Sequence, residues 1–391
     1  MPKLAELNLC TGCGACAYKC PKSCITMQEN EIGIIYPRIN HTDCIGCHVC
    51  ENICPVLNNV EYHKPISCYS AWNSDSIERN SSASGGVAAA VYKDLFSKGY
   101  SVVGALQRSD WRVVHKIASN SSDVKLFKNS KYAFSEAYDV YGQMEKLLKA
   151  NKNVVFIGLP CQVAAMRKLF GKYTTLLLID VVCHGNTPVR YLVEHINSLE
   201  NLYKKKANRM SFRAPEKGTA NYYFTLYDGE GNIFYSKRSV DGDTYNIAFH
   251  RAISYRENCY SCLYARSERV SDITLGDYHG LGKLKPCSYS ENKVSVVLVN
   301  TDTGKNYINS LLNQSNLITA EERPIEEPIL GDSQLRHPSL KTRARLDFEK
   351  YIYTEKGHFE NAMRKVIRNT RIRDMISKCK QIIKRSVAKF K

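Results

Sequence analysis

The chain has 391 residues, 43% of them hydrophobic, enough to fill a real core and, at roughly 150 residues per domain, to make two or three domains. No run of 18 apolar residues occurs and the first ten residues lack a secretory pattern, so a soluble protein is expected; its sixteen cysteines then point to metal chemistry in the reducing cytoplasm rather than to disulfides. The formal charge is +17, of which +11 falls in residues 340–391, so the basic character belongs mainly to the tail.

Taken in order, the chain opens with Cys10, Cys13, Cys16, Cys20 and Pro21, a C-x2-C-x2-C-x3-C-P run that Cys44, Cys47, Cys50, Cys54 and Pro55 repeat. In such a run three close thiolates take three corners of a 4Fe-4S cube, and the fourth reaches across to the other cube. Cys10, Cys13, Cys16 and Cys54 are therefore expected to hold one cluster, and Cys44, Cys47, Cys50 and Cys20 the second. Thr11, Gly12, Gly14, Ile45 and Gly46 let the backbone wrap a cube and aim N–H groups at its sulfurs, and the prolines end each ligand loop. Zinc sites and disulfide frameworks also use paired C-x2-C. Neither explains three cysteines in a row plus a fourth, repeated with a proline. Residues 5–57 resemble the bacterial dicluster ferredoxins.

Residues 57–66, with Asn58, Asn59 and Pro65, read as a linker, and a new domain begins near Ser67. A strand is predicted over 67–72. Ser84, Gly85, Gly86 and Val87 then open a helix reaching Lys98; its free N–H groups suit a phosphate, with Ser84 as a plain N-cap the alternative. A hairpin follows over 100–106 and 112–117, then a helix over 139–150. The most regular part is a buried strand at 153–157, the turn Gly158-Leu159-Pro160-Cys161, a helix at 162–170, a buried strand at 175–182, the turn Cys183-His184-Gly185 and a helix at 188–202. Strand, helix, strand at this spacing is a right-handed parallel unit, so Cys161 and Cys183 face one crevice at the same sheet edge. Further strands are predicted at 209–213, 221–227, 233–237, 272–275 and 294–299, with a helix near Lys305.

Cys161 and Cys183 in sheet-edge turns, with Cys259 and Cys262 in a C-x2-C loop, supply the four thiols that a third cube requires. The alternatives are two small buried residues beside a zinc loop, or a reactive Cys161 at a helix start. Cys24, Cys68, Cys287 and Cys379 read as ordinary thiols. In the tail, Met363, Ile367, Ile372, Ile376, Cys379, Ile383, Val387 and Phe390 recur at helical spacing opposite Lys and Arg. Such a face suits an anionic lipid surface, an acidic partner or packing on the body; nucleic acid is not the expected partner. The expected fold is thus an α+β ferredoxin-like dicluster domain (1–60), an α/β domain with a partly parallel sheet (67–150 and 151–350) and a basic amphipathic C-terminal helix (355–391).

One combination of motifs is more specific than any of its parts. Ser84-Gly85-Gly86, Lys131-Tyr132 with Ser135, Gly158-Leu159-Pro160-Cys161-Gln162, Cys183-His184-Gly185, Ser211-Phe212-Arg213, Cys259 with Cys262, and the Ser271-to-Asp277 segment occur in this order. Over residues 67–350 the chain resembles the family of coenzyme F420 hydrogenase/dehydrogenase beta subunits. The resemblance implies an oxidoreductase holding FAD beside a cubane cluster, with Cys161, Cys183, Cys259 and Cys262 as that cluster's ligands. It makes Ser84, Gly85, Gly86, Val87, Lys131, Ser135, Asp272, Thr274, Gly276 and Asp277 candidate flavin contacts. His184 or Asp277 would supply a proton, Arg213 and Lys217 would hold an anion or lie on the surface, and a ferredoxin or another donor would load the clusters for a small organic substrate. The alternative is an electron-transfer subunit of a larger redox complex.

Overall fold

The computed structural model describes residues 2–290, 292–314 and 316–389, with Gln314 and residues 377–389 described by backbone alone. The N-terminal segment has two single-turn helices, α1 (Ala15–Lys19) and α2 (Val49–Asn52), opening on left-handed residues at Gly14 and His48. Between them lies the antiparallel pair β1 (Ile25–Glu29) and β2 (Ile35–Ile39). The body follows as β3 (Ser67–Asn73), α3 (Ser76–Ser81), α4 (Val87–Ser97), β4 (Ser101–Gln107), β5 (Val113–Ile117), α5 (Ser121–Leu126), β6 (Ser135–Glu136), α6 (Tyr141–Lys149), β7 (Val154–Gly158), α7 (Pro160–Phe170), β8 (Leu176–Val181) and α8 (Val189–Tyr203). It continues with β9 (Arg209–Ser211), β10 (Phe224–Tyr227), β11 (Ile233–Lys237), α9 (Thr244–His250), β12 (Ile273–Asp277), β13 (Ser295–Val299), α10 (Asp302–Gln314), β14 (Ile318–Arg323), α11 (Glu326–Gly331), α12 (Arg343–Thr354) and α13 (Phe359–Lys389).

Nine strands form one mixed sheet in the order β14-β3-β13-β12-β8-β7-β4-β5-β6. Its centre, β12-β8-β7-β4, is parallel, so these strands deliver their C-terminal ends to one edge. All five residues of β7 are buried, as a strand covered on both faces must be. Val155, Ile157, Leu177 and Ile179 pack on one side with Val91 and Leu95 of α4 and Leu311 of α10. Val154, Phe156, Leu176 and Leu178 pack on the other with Met144 of α6 and Val163 and Met166 of α7.

Strands from 67–150 and from 151–350 interleave, β3 lying between β13 and β14, so both regions build the one sheet of a single α/β domain. Two expectations change. Residues 57–66 are a fixed strap rather than a loose linker: His63 and Arg269 exchange backbone hydrogen bonds of 2.8 Å, and Val60 is buried. The start of the expected tail also belongs to the core, because Phe359, Ala362, Met363 and Val366 pack with Tyr191 and Phe348. Ile372, Met375 and Ile376 are exposed; the side chains of Cys379, Ile383, Val387 and Phe390 lie outside the described residues. Among the described residues no helix is long and apolar enough to cross a membrane.

Candidate metal centres and the adjoining cavity

The first four thiols converge as the spacing requires. Left-handed glycines at Gly12 (φ +69°) and Gly14 (φ +74°) turn the loop around them. Burial raises the pKa of Cys10, Cys13 and Cys16, Cys13 to about 12, and the thiols raise one another, with Cys54 acting on all three. The backbone N–H groups of Gly12, Ala15 and Ala17 pull the other way. Four mutually repelling thiols aimed at one point, with N–H groups turned toward them, fit a cationic metal–sulfide core.

Cys20, Cys44, Cys47 and Cys50 line a second small cavity, and Cys47 is exposed. Cys24, read as an ordinary thiol, belongs to this group: its Sγ lies 3.4 Å from that of Cys20 and it lines the same cavity. Nothing in the repeat spacing marks it.

The third set sits at the C-terminal edge of the parallel strands. Cys161 stands in the first turn of α7, Cys183 just after β8, and Cys259 and Cys262 in a short 3-10 turn and its end. All four line one cavity of about 40 Å³, where burial pushes each thiol up, Cys259 to about 12. Each keeps some exposed surface, but that surface faces the cavity. Thr11, Gly12 and Cys13 line it too, so the first and third sets are neighbours. A cation there would reverse the cost of ionising these thiols.

Of the third set, Cys183 also lines a larger cavity of about 480 Å³, which shares His184, Gly185, Asn186, Leu159 and Gln162 with the smaller one. Of the candidate contacts, Ser84, Gly86, Val87, Lys131, Ser135, Gly276 and Asp277 line the larger cavity. Gly85, Asp272 and Thr274 do not. A Cβ on Gly85 would lie 2.6 Å from Ala71 O, so this glycine lets a loop pack on β3. Asp272 pairs with Arg167 at 3.0 Å and accepts from Leu178 N, while the Thr274 hydroxyl accepts from Arg269 Nε and Asn300 Nδ2. These two hold the sheet edge.

Several side chains that reach the cavity are already engaged. The Ser84 hydroxyl donates to Val294 O rather than capping α4, whose N-cap is Gly86 at φ +83° without a side-chain cap. The first N–H groups of α4 are thus left to the cavity, which Gly86, Val87 and Ala88 line. Ser135 accepts from Gln162 Nε2 at 2.9 Å. Lys131 Nζ donates to four carbonyls at the end of α5, and burial lowers its pKa to about 7. Arg213, buried rather than on the surface, pairs with Asp277 at 2.9 Å, and Tyr222 bonds the same carboxylate oxygen at 3.4 Å. Asp277 is thereby an anchor for Arg213 more than a free proton donor. Lys217 is exposed and does not line the cavity. His184 is half exposed at the wall, with Nε2 3.8 Å from Asp332 Oδ2. The buried Asn129 Oδ1 and Asn186 Oδ1, on the same wall, have no hydrogen-bond partner among the described residues.

Sheet, thiols and cavity place three sets of cysteines in one chain, the last of them beside a cavity at a parallel sheet edge. Residues 9–58 match the 4Fe-4S dicluster domain, and residues 151–325 match the family described as the C terminus of the coenzyme F420 hydrogenase/dehydrogenase beta subunit. Residues 151–325 are thus similar to the C-terminal part of that family of beta subunits, with a stretch similar to a dicluster domain before them. The chain is 24% identical over 196 residues to a subunit of the F(420)H(2) dehydrogenase of Methanosarcina mazei, covering 46% of this chain and 56% of the relative. It is 29% identical over 180 residues to the coenzyme F420-dependent sulfite reductase of Methanocaldococcus jannaschii, covering 43% of this chain and 26% of the relative. The chain thus spans about half or less of these curated relatives. A chain of the F420-reducing NiFe hydrogenase complex of Methanosarcina barkeri aligns over 78% of this chain and 91% of its own, at 17% identity and a TM-score of 0.42.

Proposed function

We propose that the chain is an iron–sulfur flavoprotein oxidoreductase that takes electrons singly and exchanges them in pairs with a small organic molecule. The two N-terminal thiol sets would hold 4Fe-4S clusters, Cys161, Cys183, Cys259 and Cys262 a third, and the 480 Å³ cavity FAD. A flavin would supply the exchange between one-electron and two-electron chemistry. The observation that carries this reading is continuity: a thiol set exposed at Cys47, a half-buried set at Cys13, a crevice set at Cys161 and then a cavity sharing Cys183.

The chain's own residues have separable tasks. The open N-terminus of α4, together with Arg213 in the wall of the same cavity, favours an anionic diphosphate. Asn129 and Asn186 offer unpaired acceptors to a ligand's donors. Asp277 fixes Arg213, and His184, beside Asp332, would hold or release a proton at the substrate. The walls from Val87 to Phe249 are largely apolar, which suits a flat aromatic ring.

Oxygen-free purification with iron, sulfide and flavin counted per chain tests the reading. About twelve iron and one FAD would support it; about eight iron without flavin would defeat it. A second reading, favoured by the Methanosarcina mazei relative being part of a dehydrogenase with several subunits, makes the chain one member of a larger redox complex. On that reading the isolated chain reduces artificial dyes but not its natural carrier, for which coenzyme F420 is the first to assay. A ferredoxin is the donor to test at the exposed Cys47 edge. Exposed Ile372, Met375 and Ile376 within the +11 segment support contact of the tail with anionic lipid, which vesicle co-sedimentation measures.

A further inference from the structure

Five arginines lie buried among the described residues: Arg213, Arg256, Arg269, Arg323 and Arg345. Four of them meet a carboxylate, Arg213 with Asp277 at 2.9 Å, Arg269 with Asp180 at 3.0 Å, Arg323 with Glu327 at 2.9 Å and Arg345 with Glu257 at 3.0 Å. Arg256, 2% exposed, meets none among the described residues. Its Nη2 donates to Ile35 O at 3.1 Å and reaches Cys10 O at 3.5 Å, and its Nε lies 3.4 Å from Asn258 Oδ1. All three acceptors are neutral. The guanidinium carbon also lies 4.3 Å from the Phe134 ring centre and 5.3 Å from that of Tyr36, which offsets part of its lost hydration. A buried guanidinium cannot shed its proton to escape the cost of burial. Its placement therefore calls for an anion.

Among the described residues, only the thiol sets offer one. Arg256 lines the cavity that also holds Cys13, Cys161, Cys183, Cys259 and Cys262. On one side it contacts the loop of the first set, so closely that a Cβ on Gly12 would lie 2.7 Å from Nη2. On the other, Cys259 follows it by three residues. Burial raises the Cys10 and Cys259 thiols, and Arg256 is a charge that opposes the rise at both.

Resting on the reading that both sets hold 4Fe-4S clusters, we propose that Arg256 is the shared counter-charge of the first N-terminal cluster and the crevice cluster, a positioning residue that raises the reduction potential of both. A fixed positive charge favours whichever cluster holds the extra electron, because reduction adds one negative charge without forming or breaking a bond. Placed between two clusters, it stabilises the electron on either side of the transfer.

The test is an EPR-monitored redox titration of the full anaerobic chain, with dithionite as one-electron donor and iron counted in every sample. Arg256→Gln is expected to weaken reduction of both the first N-terminal and the crevice cluster, each about tenfold, 59 mV, and Arg256→Lys to recover most of it; a shift in one cluster alone would overturn the sharing. Asn258→Asp keeps the arginine but sets a carboxylate against it, and is expected to shift potentials in the same direction. This second variant decides the matter if Arg256→Gln does not assemble. Full iron content with potentials unmoved in both variants would overturn the shared charge alone. About eight iron in the unmodified chain would instead remove the crevice cluster, and the sharing with it.

Discussion

A thiol packed among three others in a small cavity is costly to ionise until a metal takes the place of its proton. Cys161 is the most telling case, because Cys183, Cys259, Cys262 and even Cys13 all act on it. Cys161→Ser is expected to lower iron from about twelve to about eight per chain while the two N-terminal clusters persist. Iron assay and EPR check this; unchanged iron would return Cys161 to an ordinary core residue. The grouping of the thiols was legible because the ferredoxin-type spacing is local, Cys161 and Cys183 fall in turns after predicted strands, and Cys259 and Cys262 form a C-x2-C loop. Arg256 was not, since the carbonyls that hold it lie 221 and 246 residues away and one arginine among many carries no pattern. Asp272 and Thr274 misled for a related reason: a motif marks a region, and half of its residues serve the sheet edge instead of the cavity.

At the scale of elements, the turn from β8 into α8 depends on Gly185, whose φ is +145° and whose Cβ would fall 2.1 Å from the Tyr255 ring. Gly185→Ala is expected to cost roughly 1–3 kcal/mol from overpacking alone and to displace Cys183, so that the crevice cluster is lost first. Gly46→Ala, also at positive φ but with nothing within 4 Å of its Cβ, is expected to cost less; thermal melts and iron counts on the two variants compare them. The joint of α8, α9 and α13 rests on His195, buried between Asp243 (2.9 Å) and Glu360 (2.6 Å). Burial lowers its pKa, but the two carboxylates outweigh this and hold it at about 10. Because the folded value lies above the ordinary 6.5, this stabilisation is complete below pH 6.5 and is lost as pH rises toward 10. Melting temperature is therefore expected to fall between pH 6.5 and 10, and to fall less in His195→Gln, which is already weakened by roughly 3–5 kcal/mol. Equal slopes in the two proteins would remove His195 from the account. Sequence periodicity found the buried strands β7 and β8 but not β14, whose ITAEER alternates weakly because it lies at the sheet edge.

Over the whole molecule, the N-terminal thiol domain is built into the body instead of hanging from it. Ile32, Ile34 and Tyr36 share a core with Tyr191, Phe348 and Phe359, and Ala15 shares another with Tyr141 and Phe170. Tyr141 Oη donates to Cys13 O at 2.6 Å, Tyr264 Oη to Pro55 O at 3.1 Å, and Lys19 pairs with Glu145 at 3.0 Å. A repeat as compact as a free ferredoxin suggests an independent module, and the sequence holds no sign that its apolar residues serve a second core. The strap through His63 and Arg269 then leaves little slack between the halves. Visible cluster absorption and far-UV circular dichroism are accordingly expected to melt together in one transition, and limited trypsin treatment of the folded chain is not expected to release residues 1–66. Bleaching well below the melt of the helices, with a stable body left behind, would mean that the two halves are joined by the chain alone and that the neighbouring first and third thiol sets are held by too little to keep a transfer path in register.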